Sequence, residues 1–304
     1  MTRVLMPFPA DAALASTMNQ AMQARIAPVA WRHFPDGESL VTLEDSLAGA
    51  DVAILASLRH ADALALPLRF AARTAREFGA RSVGLIAPYL GYMRQDTRFH
   101  RGEAVSTPLF AQFLEEAFDW LVTVDPHLHR VERLQSLYRI PAAHVSATQA
   151  VARWIAETVP DAVLIGPDSE SEQWVADIAA RSGMPYQVLA KERHGDYDVR
   201  VSLPDPAAVA GRAPVLIDDI VSSGHTILET LAHLRRLSLP PPLLVAIHPV
   251  FAGDAYARLQ EAGLARIVST DTIAHPSNAI ALGADLAAAA STLMTALTDF
   301  PEDP

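Results

Sequence analysis

The feature that most constrains the fold is an alternation of short runs of Val, Ile and Leu with longer amphipathic stretches. Short apolar runs are typical of buried strands, and the intervening stretches are typical of helices that connect parallel strands. The pattern predicts two similar α/β domains, each with a mostly parallel sheet flanked by helices. The strand candidates are RVLMP, VAWRHF, DVAILAS, RSVGLIAP and WLVTVD in the first half, then AVLIG, YQVLA, APVLID, LLVAI and RIVST in the second.

Helix candidates lie between these runs, and the chain is predicted to divide near residues 143–148. The predicted domains, 1–145 and 146–304, match the number expected from 304 residues at about 150 residues per domain. An Ala-rich segment at 284–298 predicts a closing helix, preceded by a loop at 278–283. The other helix candidates are Ala10–Ile26, Ala61–Phe78, Thr107–Phe118, Ala147–Thr158, Ser171–Arg181 and Thr226–Leu237.

The composition excludes several classes of protein. Cysteine is absent, which excludes disulfides, thiolate catalysis and Cys-ligated zinc. The net charge of −11 argues against binding to nucleic acid or to an anionic membrane. The longest stretches without charged side chains, 237–253 and 286–298, are too short to span a membrane. Pro7, Pro9 and Asp11 interrupt the N-terminal apolar run, so it lacks a signal-peptide core and we expect a cytoplasmic protein.

The segment 213–230, APVLIDDIVSSGHTILET, carries the most specific chemical signal. A buried strand is predicted to end in Asp218 and Asp219, and small residues then lead into a helix. Backbone N–H groups at a helix N-terminus can bind phosphate, whereas paired carboxylates accept hydrogen bonds from sugar hydroxyls or bind a divalent cation. An ordinary helix cap beside solvated acids is the alternative for a generic turn of this kind.

This segment resembles the binding loop for phosphoribosyl diphosphate (PRPP), and essentially all 304 residues resemble the PRPP synthase (ribose-phosphate diphosphokinase) family. The resemblance implies two phosphoribosyltransferase-type domains, an N-terminal one that binds ATP and a C-terminal one that binds ribose 5-phosphate. The implied reaction transfers the β,γ-diphosphoryl group of ATP to the 1-hydroxyl of ribose 5-phosphate, giving PRPP and AMP. The residues implied to bind ribose 5-phosphate are Asp218, Asp219, Ser222, Ser223, Gly224, His225 and Thr226.

Two N-terminal segments resemble the ATP-binding motifs of the family. FPDGES at 34–39 resembles the F-S-D-G-E hairpin, although Pro-Asp-Gly alone indicates only a turn. PYLGYMRQD at 88–96 resembles P-Y-x-x-Y-x-R-Q-D and brings Arg, which suits phosphate oxygens, into an acidic protein. Ion pairs with neighbouring acids are the alternative for Arg98 and Arg101. The residues implied to bind ATP are Phe34, Asp36, Gly37, Glu38, Arg94 and Gln95.

Three further segments resemble the metal-binding and catalytic parts of the family. VTVDPHLHR at 122–130 resembles the V-D-L-H motif, and IGPDSESEQ at 165–173 resembles the S-P-D-x-G-G loop. Together they imply that His127 binds the catalytic Mg²⁺ and that Asp168 is the second contact to the metal, or a contact to ribose. LAKERHGDYDV at 189–199 contains the only lysine of the chain and matches the K-x-R spacing of the mobile catalytic arm. Lys191 and Arg193 are therefore implied to be catalytic, with a solvated charged loop as the alternative.

Departures from the family pattern leave other functions open. Ser222 stands where bacterial and mammalian members have Asp and archaeal-type members have Ser, which places the chain closer to the archaeal-type branch. His225 replaces a family Gly, and residues 169–171 replace a Gly-containing loop. A non-catalytic regulatory relative is therefore the second hypothesis, and a phosphoribosyltransferase, which would not need the ATP-type segments, is the third. The resemblance also implies a homo-oligomer.

Overall fold

The computed structural model divides the chain into two compact units. Unit 1 comprises Met1–Val145, Thr272–Ala274 and Leu282–Pro304, and unit 2 comprises Ser146–Asp271 and His275–Ala281. The residues that the structure describes are 2–43, 46–128, 133–189, 191–193, 199–201, 209–235 and 239–298.

Unit 1 contains a sheet, a hairpin and four of the described helices. Its strands are β1 Arg3–Pro7, β2 Ala24–Ile26, β3 Val29–His33, β4 Ser39–Leu43, β5 Asp51–Leu55, β6 Ser82–Ala87, β7 Trp120–Val124 and β8 Ala142–Val145. The helices are α1 Ala12–Met22, α2 Ala61–Glu77, α3 Ser106–Glu115 and α8 Gly283–Thr298. Six strands pair in parallel in the order β2-β1-β5-β6-β7-β8, and β3 and β4 form a separate antiparallel hairpin. Every residue of β5, β6 and β7 is buried, which explains their continuous apolar sequence.

Unit 2 repeats this arrangement. Its strands are β9 Ala162–Gly166, β10 Tyr186–Val188, β11 Lys191–Arg193, β12 Val199–Val201, β13 Ala213–Ile220, β14 Leu243–His248, β15 Arg266–Thr270 and β16 Asn278–Ile280. The described helices are α4 Thr148–Thr158, α5 Glu172–Ser182, α6 His225–Leu234 and α7 Ala255–Glu261. Six strands again pair in parallel, in the order β10-β9-β13-β14-β15-β16, beside the hairpin β11–β12.

The two sheets have the same strand order, so each strand of unit 1 has a positional counterpart in unit 2. This confirms the predicted fold class of two similar, mostly parallel α/β domains. In both sheets the order reverses between the first strand and the strand after the hairpin, that is, between β1 and β5 and between β9 and β13. Open α/β sheets bind ligands beyond the carboxyl ends of the strands at such a reversal.

Two local predictions were wrong and a third holds with a different partner. The helix predicted for Ala10–Ile26 ends at Met22, because Gln23 adopts a left-handed conformation (φ 52°) and Ala24–Ile26 pairs as the edge strand β2. The strand predicted for VAWRHF is confirmed as β3, which pairs with β4 in the hairpin and not with the sheet. The segment 278–283 is not only a loop, since Asn278–Ile280 pairs with β15.

The C-terminal helix α8 was predicted to belong to the second domain, 146–304, but it packs as part of unit 1. Its buried stripe includes Leu286, Ala290 and Met294. The helix packs against α1, where a Cβ added to Gly283 would lie only 2.3 Å from the hydroxyl oxygen of Thr17. An apolar helix face must be covered, and in this fold the N-terminal unit covers it.

Candidate active site

Three carboxylates lie together at the strand-order reversal of unit 2. Asp218 and Asp219 occupy the end of β13, and Asp168 follows the neighbouring strand β9. Burial raises the pKa of Asp218 well above its usual value, and the charges of Asp219 and Asp168 raise it further. The Asp219 side chain is also buried and accepts a hydrogen bond of 2.8 Å from the N–H of Ile220. The predicted pair of acids is thus joined by a third, in a site that favours a hydrogen-bond donor or a cation.

The segment between β13 and α6 forms the predicted turn into a helix. Gly224 immediately precedes α6 with φ 71°, a conformation that disfavours other residues. A Cβ at Gly224 would lie 3.0 Å from the Leu259 side chain of α7, a tight contact that adds to the conformational preference for glycine. The His225 side chain is exposed, and its Nε2 lies 3.1 Å from Glu229 Oε1, one helical turn away. The N-terminus of α6 therefore remains accessible beside the acids.

The loop after β9 is organised around Asp168. Its carboxylate accepts hydrogen bonds from the N–H groups of Glu170 (3.1 Å) and Ser171 (3.2 Å), which caps the short helical turn that precedes α5. The Ser171 hydroxyl donates in return to the Asp168 carbonyl at 2.6 Å. These two N–H groups are therefore engaged within the loop itself.

In unit 1 the segment FPDGES forms the tip of the β3–β4 hairpin. The N–H of Phe34 donates to the Glu38 carbonyl at 2.8 Å, and Asp36 accepts from the N–H of Glu38 at 3.2 Å. Gly37 has φ 93°, which explains why glycine occupies this turn. The ring of Phe34 is 40% exposed, and the Arg32 guanidinium lies 5.0 Å from its centroid. Part of an aromatic ring is therefore exposed at the tip.

The long segment between β6 and α3 contains Arg94 and Gln95. The Arg94 side chain is exposed, and the Gln95 carbonyl accepts a hydrogen bond of 3.3 Å from Thr107 at the start of α3. Arg98 donates to the backbone carbonyl of Glu103 at 2.8 Å, so a local structural role explains it. His127 follows the adjacent strand β7, after a strained Asp125 with φ 27°. Both segments therefore begin at the carboxyl edge of the sheet.

Lys191 and Arg193 lie in β11. The backbone register pairs Lys191 with Val201 and Arg193 with Val199, so the K-x-R segment forms one arm of an antiparallel hairpin. This hairpin occupies the position in unit 2 that β3–β4 occupies in unit 1. Residues 194–198, which connect the two arms, lie outside the described residues.

Sequence reasoning missed a cleft of about 500 Å³ at the carboxyl ends of β5 and β6 in unit 1. Its lining includes Arg59, His60, Tyr89 and Tyr92. The hydroxyl of Tyr92 is hydrogen-bonded to Asp62, which also lines the cleft. The signal that could have found it is the placement of Arg59 and His60 directly after the β5 run.

Neither a preformed metal cage nor a membrane segment is present in the part of the chain that the structure describes. No group of three or more His, Asp or Glu side chains there is arranged to hold a metal ion. None of the helices within the described ranges has the length and apolar character needed to cross a membrane.

Comparisons with known proteins agree with the topology. Residues 4–117 match the family model for the N-terminal domain of ribose phosphate pyrophosphokinase, and residues 140–274 match the phosphoribosyl transferase domain. The chain is 32% identical over 282 residues to the ribose-phosphate pyrophosphokinase of Methanopyrus kandleri, covering 92% of this chain and 96% of that protein. It is 34% identical over 264 residues to the enzyme of the same name from Halobacterium salinarum, covering 86% and 90%.

A solved structure shares the whole fold. The chain superposes on phosphoribosylpyrophosphate synthetase from Mycobacterium smegmatis with a TM-score of 0.82 and 24% identity, covering 99% of this chain and all of that one. The two curated relatives are archaeal, as the Ser222 comparison implied. The predicted family and enzyme activity are confirmed. On these grounds, the chain belongs to the ribose-phosphate pyrophosphokinase family.

Proposed function

We propose that this pyrophosphokinase transfers the β,γ-diphosphoryl group of ATP to the 1-hydroxyl of ribose 5-phosphate, giving PRPP and AMP. The observation that carries the assignment is the end of β13, where two carboxylates precede an accessible helix N-terminus at Gly224. That combination suits a ligand with hydroxyl groups at one end and a phosphate at the other.

Ribose 5-phosphate is assigned to unit 2. The N–H groups at the start of α6, from Ser222 to Thr226, would bind its 5-phosphate, aided by the helix dipole. Asp218 and Asp219 would accept hydrogen bonds from the ribose hydroxyls. Burial and then the charges of Asp219 and Asp168 raise the pKa of Asp218, and such donors would stabilise the carboxylates by placing positive partial charge beside them.

ATP is assigned to unit 1. The exposed ring of Phe34 offers a stacking surface for the base, and Asp36, Gly37 and Glu38 supply polar groups at the same hairpin tip. Arg94 and Gln95 would contact the phosphates, for which the planar Arg side chain is well suited. The exposure of Arg94 supports this role.

Mg²⁺ is the expected cofactor, and the donor chemistry fits it in part. Asp168 offers oxygen, the ligand that Mg²⁺ prefers, whereas His127 offers the less usual nitrogen. Mg²⁺ commonly binds through one or two carboxylates together with substrate phosphates, so a preformed cage among the described residues is not needed. When bound, the ion would neutralise charge on the phosphates of ATP.

Lys191 and Arg193 are assigned to the chemical step. As cations on a hairpin arm, they would stabilise the charge that develops on the migrating diphosphoryl group. Phosphoryl transfer relies mainly on positioning and electrostatics, so no covalent enzyme intermediate is needed.

One observation favours a second candidate, a regulatory relative that binds nucleotide without turnover. Asp168 accepts from the N–H groups of Glu170 and Ser171, in the segment that replaces the Gly-containing pyrophosphate loop of the family, so these donors are engaged within the chain. This candidate predicts retained nucleotide binding and no product.

Product analysis separates the candidates. The chain is incubated with ATP, ribose 5-phosphate and Mg²⁺, and nucleotides are resolved by chromatography. We expect AMP and PRPP in equal amounts, both dependent on ribose 5-phosphate, with ribose as the control acceptor lacking the phosphate. Stoichiometric ADP would contradict diphosphoryl transfer, since attack at the γ-phosphorus releases ADP. Bound nucleotide without AMP would favour the regulatory candidate.

We also propose a homo-oligomer acting in the cytoplasm. Leu66 and Phe70 on α2 and Leu109 on α3 are exposed by 56%, 45% and 59%, and an apolar cleft adjoins them. Exposed apolar side chains of this size support an association surface.

A further inference from the structure

A corner of chain after β14 makes backbone hydrogen bonds to the loop assigned to the 5-phosphate. The N–H of Phe251 donates to the Val221 carbonyl at 2.8 Å, and the N–H of Ala252 donates to the Ser222 carbonyl at 3.0 Å. These bonds fix the orientation of two successive peptide groups in the loop.

The orientation matters because a trans peptide is planar and its C=O and N–H point in opposite directions. The Val221 carbonyl faces the corner, so the N–H of Ser222 in the same peptide points away from it. The Ser222 carbonyl also faces the corner, and the N–H of Ser223 points away as well. Two donors are thereby presented together on the side of the loop opposite the corner, in the arrangement that binds an anion.

Phe251 holds this corner in an uncommon conformation. Its φ is 36°, in the left-handed region that a bulky side chain rarely adopts. Phe251 is 3% exposed, and its ring packs against both Tyr256 and His275, at centroid distances of 5.1 and 4.7 Å. Tyr256 and His275 also meet edge to face at 4.5 Å. This aromatic packing opposes relaxation of the Phe251 backbone towards negative φ. Such a relaxation would rotate the N–H groups of Phe251 and Ala252 away from the loop.

In the equivalent corner of unit 1, the hydrogen bond between corner and loop runs in the opposite direction. Ile86 of β6 pairs with Leu55, and His248 of β14 pairs with Ile220, so Ile86 and His248 occupy equivalent positions in the two sheets. Tyr89 and Phe251 each lie three residues further along the chain and are therefore equivalent as well. The carbonyl of Tyr89 accepts a hydrogen bond of 2.8 Å from the neighbouring loop. In unit 2 it is the N–H of Phe251 that donates to the loop. The fold therefore does not require the corner to donate hydrogen bonds to the loop, and this feature is specific to unit 2.

We infer that Phe251 is a positioning residue for ribose 5-phosphate, which orients the N–H groups of Ser222 and Ser223 towards the 5-phosphate without touching the substrate. The inference rests on the proposed assignment of the loop. It predicts a defect in the use of ribose 5-phosphate that is separate from any loss of stability.

The test compares Phe251→Leu with Phe118→Leu, a matched substitution of a buried phenylalanine in unit 1. With saturating ATP and Mg²⁺, we expect Phe251→Leu to raise KM for ribose 5-phosphate about tenfold, the equivalent of one lost hydrogen bond or about 1.4 kcal/mol. KM for ATP should stay the same. Phe118→Leu should lower Tm but leave both KM values unchanged. An unchanged KM for ribose 5-phosphate in Phe251→Leu would overturn the inference.

Two further variants keep the test decisive. Tyr256→Leu removes one side of the ring packing at a partly exposed position, and it replaces Phe251→Leu if that variant does not fold. It should raise KM for ribose 5-phosphate in the same way, and no rise would again overturn the inference. Gly224→Ala tests the loop itself. A raised KM in Gly224→Ala with a normal value in Phe251→Leu refutes the positioning role alone, whereas normal values in both also refute the loop assignment.

Discussion

Asp11 provides a prediction in which both sign and size follow from the structure. The side chain is 5% exposed, and its Oδ2 accepts a hydrogen bond of 3.1 Å from the N–H of Ser57. Burial raises the pKa of Asp11 from 3.8 to about 6, and the Ser57 hydrogen bond offsets only part of that effect. The change we consider is Asp11→Asn, which removes the ionisable group and keeps an oxygen acceptor.

The shift is roughly two pKa units, and each unit corresponds to about 1.4 kcal/mol, so the ionised carboxylate costs about 3 kcal/mol in the folded state. Because the folded state binds the proton more tightly than the unfolded state, this contribution to the free energy of unfolding is fully present below pH 3.8. This contribution decreases as the pH rises and is lost above pH 6, where Asp11 is ionised in both states and the free energy of unfolding no longer changes through this group. Asn does not titrate, so the variant should be more stable at pH 7.5, by up to about 3 kcal/mol.

Thermal unfolding of the two proteins between pH 5 and 8 provides the measurement. We expect the stability gain of Asp11→Asn to grow with pH across the lower half of this range and to level off above pH 7. Glu77→Gln on α2 is the control, because Glu77 is exposed and in the same unit. A variant no more stable than the parent at pH 7.5, or a gain independent of pH, would refute the reasoning.

Three further predictions concern the site and the core. Lys191→Ala should lower kcat on the order of 100-fold with little change in ATP affinity by equilibrium binding, and an unchanged kcat would remove Lys191 from the mechanism. Asp218→Asn should raise Tm by relieving carboxylate repulsion and also raise KM for ribose 5-phosphate, as judged by paired unfolding and kinetic measurements. Gly84→Ala should destabilise the protein by about 1–3 kcal/mol in denaturant unfolding, because its Cβ would lie 1.8 Å from the Trp120 ring; wild-type stability would contradict this packing.

The sequence predicted the buried strands well because their apolar runs are continuous. It failed at the edges, where β2 and β16 have only three residues each and no such run. The sequence also assigned α8 to the wrong unit. Its apolar stripe through Leu286 and Met294 indicates that one face of the helix is buried, but it does not indicate which unit buries it. In the site, Asp218, Asp219 and Gly224 were predictable because strand and turn chemistry mark them. Phe251 was not, because its left-handed conformation and its bonds to the loop depend on tertiary packing.

The duplicated topology allows equivalent loops of the two units to be compared, and their hydrogen bonds suggest different ways of binding phosphate. In unit 1 the loop after β5 uses the N–H groups of three successive residues internally, with Ala56 donating to Ile86, Ser57 to Asp11 and Leu58 to Tyr89. Those three donors are engaged within the chain, so a phosphate at this loop would be met by side chains. The exposed guanidinium of Arg94 supplies such a group.

In unit 2 the N–H of Val221 donates to His248, as Ala56 donates to Ile86 in unit 1, but the next contacts use the carbonyls of Val221 and Ser222. The N–H groups of Ser222 and Ser223 are therefore turned away from the corner. Backbone donors have a fixed position, whereas an Arg side chain is long and adjustable. Fixed donors suit one small acceptor that must present a single hydroxyl, and adjustable cations suit a triphosphate whose charge moves during the reaction. Hydrogen-bond direction therefore supports the proposed assignment of ribose 5-phosphate to unit 2 and ATP to unit 1, beside the motifs.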